Sequence, residues 1–152
     1  LSSRIAIFEA GTLQQVATPR DIYERPANRF VAEFLGDINL LPLVDTSKTA
    51  SGAQARFEGA LIRATADAGP PSALLAVRPE HMKIAGTAPE SGNAIAARIT
   101  EATYMGSQMR LSLLTDRGHA LTLNAGADAP PKHLQTDGRV WVTWPEDRGV
   151  FL

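Results

Sequence analysis

With 152 residues and 44% hydrophobic content, the chain is long enough for one substantial core and too apolar for general disorder. Fifteen basic against sixteen acidic residues leave a net charge of -1 with no basic stripe, which disfavours nucleic acid or anionic lipid as a partner. The lack of cysteine excludes disulfides and thiolate metal sites and fits a reducing compartment, and no apolar run approaches the ~20 residues that span a bilayer. Residues 4–8 and 13–16 predict a short hairpin, with Ile5 and Ile7 alternating against Ala6 and Phe8 around a turn of Glu9, Ala10, Gly11 and Thr12. Thr18 suits an N-cap, Pro19 the first helical position, and Asp21 closes a T-x-x-D capping pattern, so a helix is predicted over Pro19–Glu24. Pro26 disfavours helical geometry at Arg25 and opens a second helix. Its periodicity puts Phe30, Val31, Phe34 and Leu35 on one face and Arg29, Ala32 and Glu33 on the other, with Gly36 ending it as a left-handed C-cap.

From Asp37 onward the pattern changes to strands. Apolar runs at 40–44, 53–57 and 60–64 are separated by a polar stretch at 45–52 and by Glu58-Gly59. Gly69, Pro70 and Pro71 break the chain before 73–77, an apolar run of buried-strand length that Arg78-Pro79 ends. A second extended piece is expected at 80–84 and a surface loop at 86–92. In 94–104, Ile95, Ala97 and Ile99 alternate with Ala96, Arg98 and Thr100; Met109, Leu111 and Leu113 continue the series, and Leu121 and Leu123 answer after a turn at Asp116-Arg117-Gly118. Residues 128–131 break the series, a brief helix is expected at 131–135, and two last strands at Arg139–Trp144 and 149–152 close a chain that is mainly β, a barrel or sandwich by strand spacing.

Little in the chain carries catalytic chemistry. There is no G-x-x-x-x-G-K-[ST] phosphate loop and no G-x-S-x-G elbow around Ser107. His81, His119 and His133 are far apart without metal-ligand spacing, and Glu146-Asp147 beside Pro145 reads as a solvated turn. Trp141 and Trp144, with Tyr104, offer stacking platforms, against the plainer reading that Val140, Val142 and Trp144 fill a core while Trp141 faces outward with Thr143. Arg78-Pro79-Glu80-His81 follows a buried strand directly. Its polar residues read either as a subunit contact or effector site, or as a barrel-mouth cluster in which Arg78 pairs with a carboxylate.

The run RIAIFEAGTLQQVATPRDIYERPANRFVAEFLGDINLL, Arg4 to Leu41, closely resembles the segment that leaves the nucleotide-binding domain of ABC-transporter ATPases of the importer branch. Three later runs, LLAVRPEHMKI, ITEATYMGSQMRLSLL and GRVWVTW, are similar to that branch's C-terminal regulatory domain, TOBE, an oligomer-binding-type barrel related to molybdate-binding modules. The resemblance implies residues 1–36 as the trailing hairpin and two-helix segment of the ATPase domain and 37–152 as an OB-like (TOBE, molybdate-module-like) β-barrel. It implies a regulatory and dimerisation domain of an importer's ATP-binding subunit, with Asp37-Ile38-Asn39-Leu40-Leu41 most like polyamine-type importers. Further implications are a homodimer with exchange of the N-terminal segment within reach, permease subunits at the inner face of a bacterial membrane, and ATP and magnesium in the parent. For this chain alone no cofactor or ATPase activity is expected, and Arg78, Glu80, His81 and Trp141 are the candidate interface or effector residues. The alternative is a barrel that binds a small anion or the solute, held by backbone N–H groups with Arg78 or Arg98, and inhibits transport. A nucleic-acid barrel is the least favoured reading.

Overall fold

A computed structural model describes residues 3–126 and 138–152. Strands β1 (Ile5–Glu9) and β2 (Thr12–Ala17) pair antiparallel. Their turn is tighter than the sequence suggests: only Ala10 and Gly11 lie between the strands, and both take positive φ, 48° and 81°, the type I′ geometry that matches strand twist. Ile7 is buried, whereas Phe8 and Leu13, paired across the ladder, stay exposed with Val16 on the outer face.

Helix α1 (Pro19–Glu24) starts as its residues dictate, with the Thr18 hydroxyl accepting from the Asp21 amide at 3.1 Å. Helix α2 (Arg29–Phe34) starts later than Pro26 implies, because the Asn28 carboxamide, which accepts from the Val31 amide at 3.0 Å, is the actual N-cap. Two other features of α2 also differ from expectation. Ala32 is fully buried while Phe34 is 63% exposed, since the six-residue helix turns its Val31–Ala32 edge inward. The C-cap is Leu35, and Gly36 follows at φ 131°, outside the left-handed helical well. Ile7, Ile22 and Val31 form a small core, and Gln15 ties β2 to the inter-helix loop by accepting from the Ala27 amide (2.7 Å) and donating to the Arg25 carbonyl (3.1 Å).

Among the described residues the rest is mainly β-structure, in three sheets. One has the order β11 (Ala120–Gly126), β10 (Gln108–Thr115), β9 (Asn93–Tyr104), β12 (Arg139–Trp144), β8 (Lys83–Ala85). A second has β13 (Val150–Phe151), β7 (Leu74–Val77) and β3 (Asn39–Pro42); a third has β4 (Val44–Thr49), β5 (Gly52–Phe57) and β6 (Ala60–Thr65). Residues of β4 fall in the stretch expected as a separator, because both faces of this edge strand are largely exposed and a bulge with Asp45 at φ 54° removes the alternation that marks a strand. The extended piece expected at 80–84 forms only in its second half, where β8 begins at Lys83; its first residues belong to a single 3-10 turn, Pro79–His81. The helix expected at 131–135 lies outside the described residues.

Alternation places one apolar face of every long strand inside: Leu111 and Leu113 of β10, Leu121 and Leu123 of β11, and Val140, Val142 and Trp144 of β12 share one core with Leu41, Leu75 and Ile62 from the other sheets. Two buried asparagines close that barrel where no ladder does. The Asn39 carboxamide exchanges two hydrogen bonds with the Thr122 backbone, both 2.8 Å, joining β3 to β11. Asn93 does the same with Arg63, 2.8 and 2.9 Å, joining β9 to β6. Each primary amide copies a peptide group, so the part-buried edge backbone keeps both donor and acceptor paired.

Candidate functional site

Three of the polar residues singled out in the sequence, Arg78, Glu80 and His81, gather at the junction between helices and barrel. Val77 ends β7 in the core, and Pro79 stops the strand, so the Arg78 side chain is driven sideways against the helices. It is 5% exposed, and its guanidinium meets backbone carbonyls rather than the expected carboxylate. Nη1 donates to Ala32 (3.0 Å), Asp37 (3.2 Å) and Gly36 (3.4 Å), and Nη2 to Tyr23 (3.3 Å). Its carbon lies 4.3 Å from the centroid of the Tyr23 ring, a cation–π contact in a desolvated place. Burial draws the guanidinium pKa down, partly offset by the nearby Tyr23 and Glu80.

Glu80 is exposed and accepts a hydrogen bond from the Tyr23 hydroxyl. The phenol is pushed up to about 12, first by burial and then by its bond to Glu80 and the Glu80 charge, with Arg78 acting the other way. His81 completes the Pro79–His81 turn by donating its amide to the Arg78 carbonyl at 3.0 Å. It lines a cleft of about 320 Å³, bounded on the helix side by Tyr23 and Arg25 and on the barrel side by Asp67, Asp147 and Arg148. The cleft mixes charges of both signs, and among the described residues no group of histidines and carboxylates could hold a metal ion. Asp37, just after α2, is tied to Arg110 of β10 at 2.5 Å, which lowers the carboxyl pKa; both side chains are more than a third exposed, so water screens the pair.

Arg78, Glu80 and His81 thus come together. Trp141 does not join them: it sits half-buried on the outer face of β12, opposite Ala96 of β9 and Ala85 of β8, whose small side chains leave room for the indole. Trp144 is in the core, and Tyr104 is 66% exposed next to the β9–β10 turn. His119 packs edge-on against Phe57, and Arg98 lies on the exposed side of β9 opposite Arg139. Tyr23, Asn39, Asn93 and Asp37 were not legible as partners. Asparagine opening an apolar strand is the one signal available, since such a residue is buried only with its amide satisfied.

A TOBE domain model matches residues 75–152. The whole chain aligns at 36% identity over 155 residues with the spermidine/putrescine import ATP-binding protein PotA of Ruegeria pomeroyi, covering 42% of it, and at 35% over 159 residues with that of Rubrobacter xylanophilus, covering 41%. A sulfate/thiosulfate import ATP-binding protein of Chromobacterium violaceum matches at 32% over 126 residues, 82% of this chain and 33% of its own length. The chain therefore spans about two fifths of the polyamine relatives it matches. Among solved structures, the cytoplasmic molybdate-binding protein ModG with molybdate bound superposes at a TM-score of 0.54 and 9% identity, over 75% of this chain and 93% of its own, which shows a shared barrel fold. With more than half of its residues inside the family match, this chain belongs to the TOBE domain family.

Proposed function

We propose that this chain is the C-terminal regulatory part of the ATP-binding subunit of a bacterial ABC importer of the polyamine type. One observation carries the reading: a single alignment with polyamine import ATP-binding proteins runs through the hairpin, both helices and the barrel without dropping either part. In this reading residues 1–36 trail from the ATPase domain and 37–152 are the regulatory barrel. ATP and magnesium belong to the ATPase domain of the parent, where a phosphate loop supplies the chemistry. The parent works as a homodimer at the cytoplasmic face of the membrane with permease subunits, and the barrels hold two ATPase domains together as these open and close. Exchange of the N-terminal segment between copies is a variant of the same dimer. Among the described residues no helix is long and apolar enough to cross a membrane.

Deleting residues 37–152 from the parent is expected to weaken dimerisation at least tenfold by sedimentation; undiminished self-association would sink the proposal. The solute is a finer matter, because a sulfate/thiosulfate relative matches most of the same chain. The small-anion reading keeps Arg98 as a donor, whereas the Arg78 guanidinium is already committed to carbonyls. Calorimetry with oxyanions and polyamines separates a ligand-binding barrel from a purely structural one, which gives no heat.

A further inference from the structure

The two cores of this chain have no buried apolar side chain in common: Ile7, Ile22 and Val31 form one cluster, and the barrel forms the other. Among the described residues, polar bonds link them: the four hydrogen bonds of Arg78, the bond from the Tyr23 hydroxyl to Glu80, and the Asp37–Arg110 pair at the exit of α2. The acceptors of Arg78 are not arbitrary carbonyls. The amides that would continue α1 and α2 onto the Tyr23 and Ala32 carbonyls are engaged elsewhere, Ala27 with Gln15 and Gly36 with the Glu33 carbonyl. Both carbonyls are helix-end orphans, and a cation there also meets the negative end of each helix.

We propose that Arg78 is a latch, a positioning residue whose guanidinium couples the helical unit to the barrel. A shift of β7 or of the Pro79–His81 turn is passed to the ends of both helices, and loss of the fork releases the helices while both cores stay folded. Three features support this. Its hydrogen bonds go to four carbonyls of the helical side and its exit, so among the described residues the barrel side offers it only the nearby charge of Glu80 when the helices leave. Nε is buried without a hydrogen-bond partner, a desolvation cost that opening relieves. Tyr23 stacks on the guanidinium and donates to Glu80, so the same helix grips the turn on both sides of Pro79. The latch is intrinsic to this chain; only what it transmits, between an ATPase domain and a regulatory barrel, rests on the function proposed above.

Hydrogen exchange of the full chain tests it. Arg78→Lys keeps the charge but offers a compact ammonium that cannot bridge acceptors on two helices. The amides of Ile22, Arg25 and Ala32 are expected to exchange at least tenfold faster in that variant, with those of Leu111, Leu113 and Leu123 within twofold of wild type. Helix amides that do not change would overturn the latch. So would barrel and helix amides loosening by the same factor, or a variant that fails to fold, since either makes Arg78 an ordinary core residue. Ile22→Ala approaches from the other side: it should loosen the helices alone, and loss of barrel protection would show that the two units are one. Neither arm uses ATP, permease or dimer, so failure here leaves the subunit assignment untouched.

Discussion

Arg78 illustrates how one side chain acquires a role from its neighbours. A strand that ends in the core, followed by proline, leaves the next residue no path into solvent, and arginine answers burial by collecting carbonyls. Tyr23 is the other half of that arrangement and gives it a pH signature. Its phenol ionises near 10 when exposed and near 12 in the folded chain, where Glu80 faces its hydroxyl and Arg78 its ring. The folded state therefore keeps a proton that the unfolded chain releases between these values. The stability contributed is complete below pH 10 and falls as pH rises toward 12. Urea midpoints measured from pH 9 to 12 should drop more steeply for wild type than for Tyr23→Phe; parallel curves would remove Tyr23 from the account.

At the scale of elements, the local rules were readable wherever a helix or turn is closed by its own residues. Thr18, Pro19 and Asp21 specify α1 without help from the rest of the chain, and Glu58-Gly59 supplies the two positive-φ residues, 48° and 84°, that turn β5 into β6. Rules that depend on neighbours were less visible. The start of α2 was assigned to Pro26, but Asn28 wins because its side chain also donates to Gln14 of β2 at 2.8 Å, a contact from outside the helix. Strand β4 was hidden because an edge with two wet faces has no hydrophobic period. Gly52 shows the tightest local demand: a Cβ there would lie 2.0 Å from the Ala64 carbonyl oxygen of the paired strand. Since backbone cannot swing aside, Gly52→Ala should lower stability by about 1–3 kcal/mol, the usual range for overpacking, as a shift in thermal or urea midpoint. A wild-type midpoint would mean that β5 and β6 are further apart than described.

Over the whole molecule the decisive feature is how separate sheets become one enclosure. Ladder hydrogen bonds stop at the sheet edges, and the Asn39 and Asn93 carboxamides carry the pairing across two of the gaps. Asn93→Ala strips partners from the part-buried Arg63 N–H and carbonyl at once, which is expected to cost about 1–3 kcal/mol in all, the range for a buried polar group left unpaired. The expected result is a lower unfolding midpoint with exchange quickening first in β6; a loss of a few tenths of a kcal/mol would mean that water replaces the amide. Solvated pairs such as Asp37 with Arg110 add orientation rather than comparable energy.

The amino-acid order alone dictated the mainly β composition, the hairpin, the capped first helix and the inward faces of the long strands, because each of these rests on spacing or on residues within one turn of each other. Family membership was legible for a similar reason, through contiguous runs such as LLAVRPEHMKI. Folding in three dimensions settled what Arg78 touches, which strands the asparagines join, and that Phe34 faces water while Ala32 does not. Those outcomes depend on groups dozens of residues apart in the chain, and a polar side chain carries no local mark of the distant carbonyl that will satisfy it.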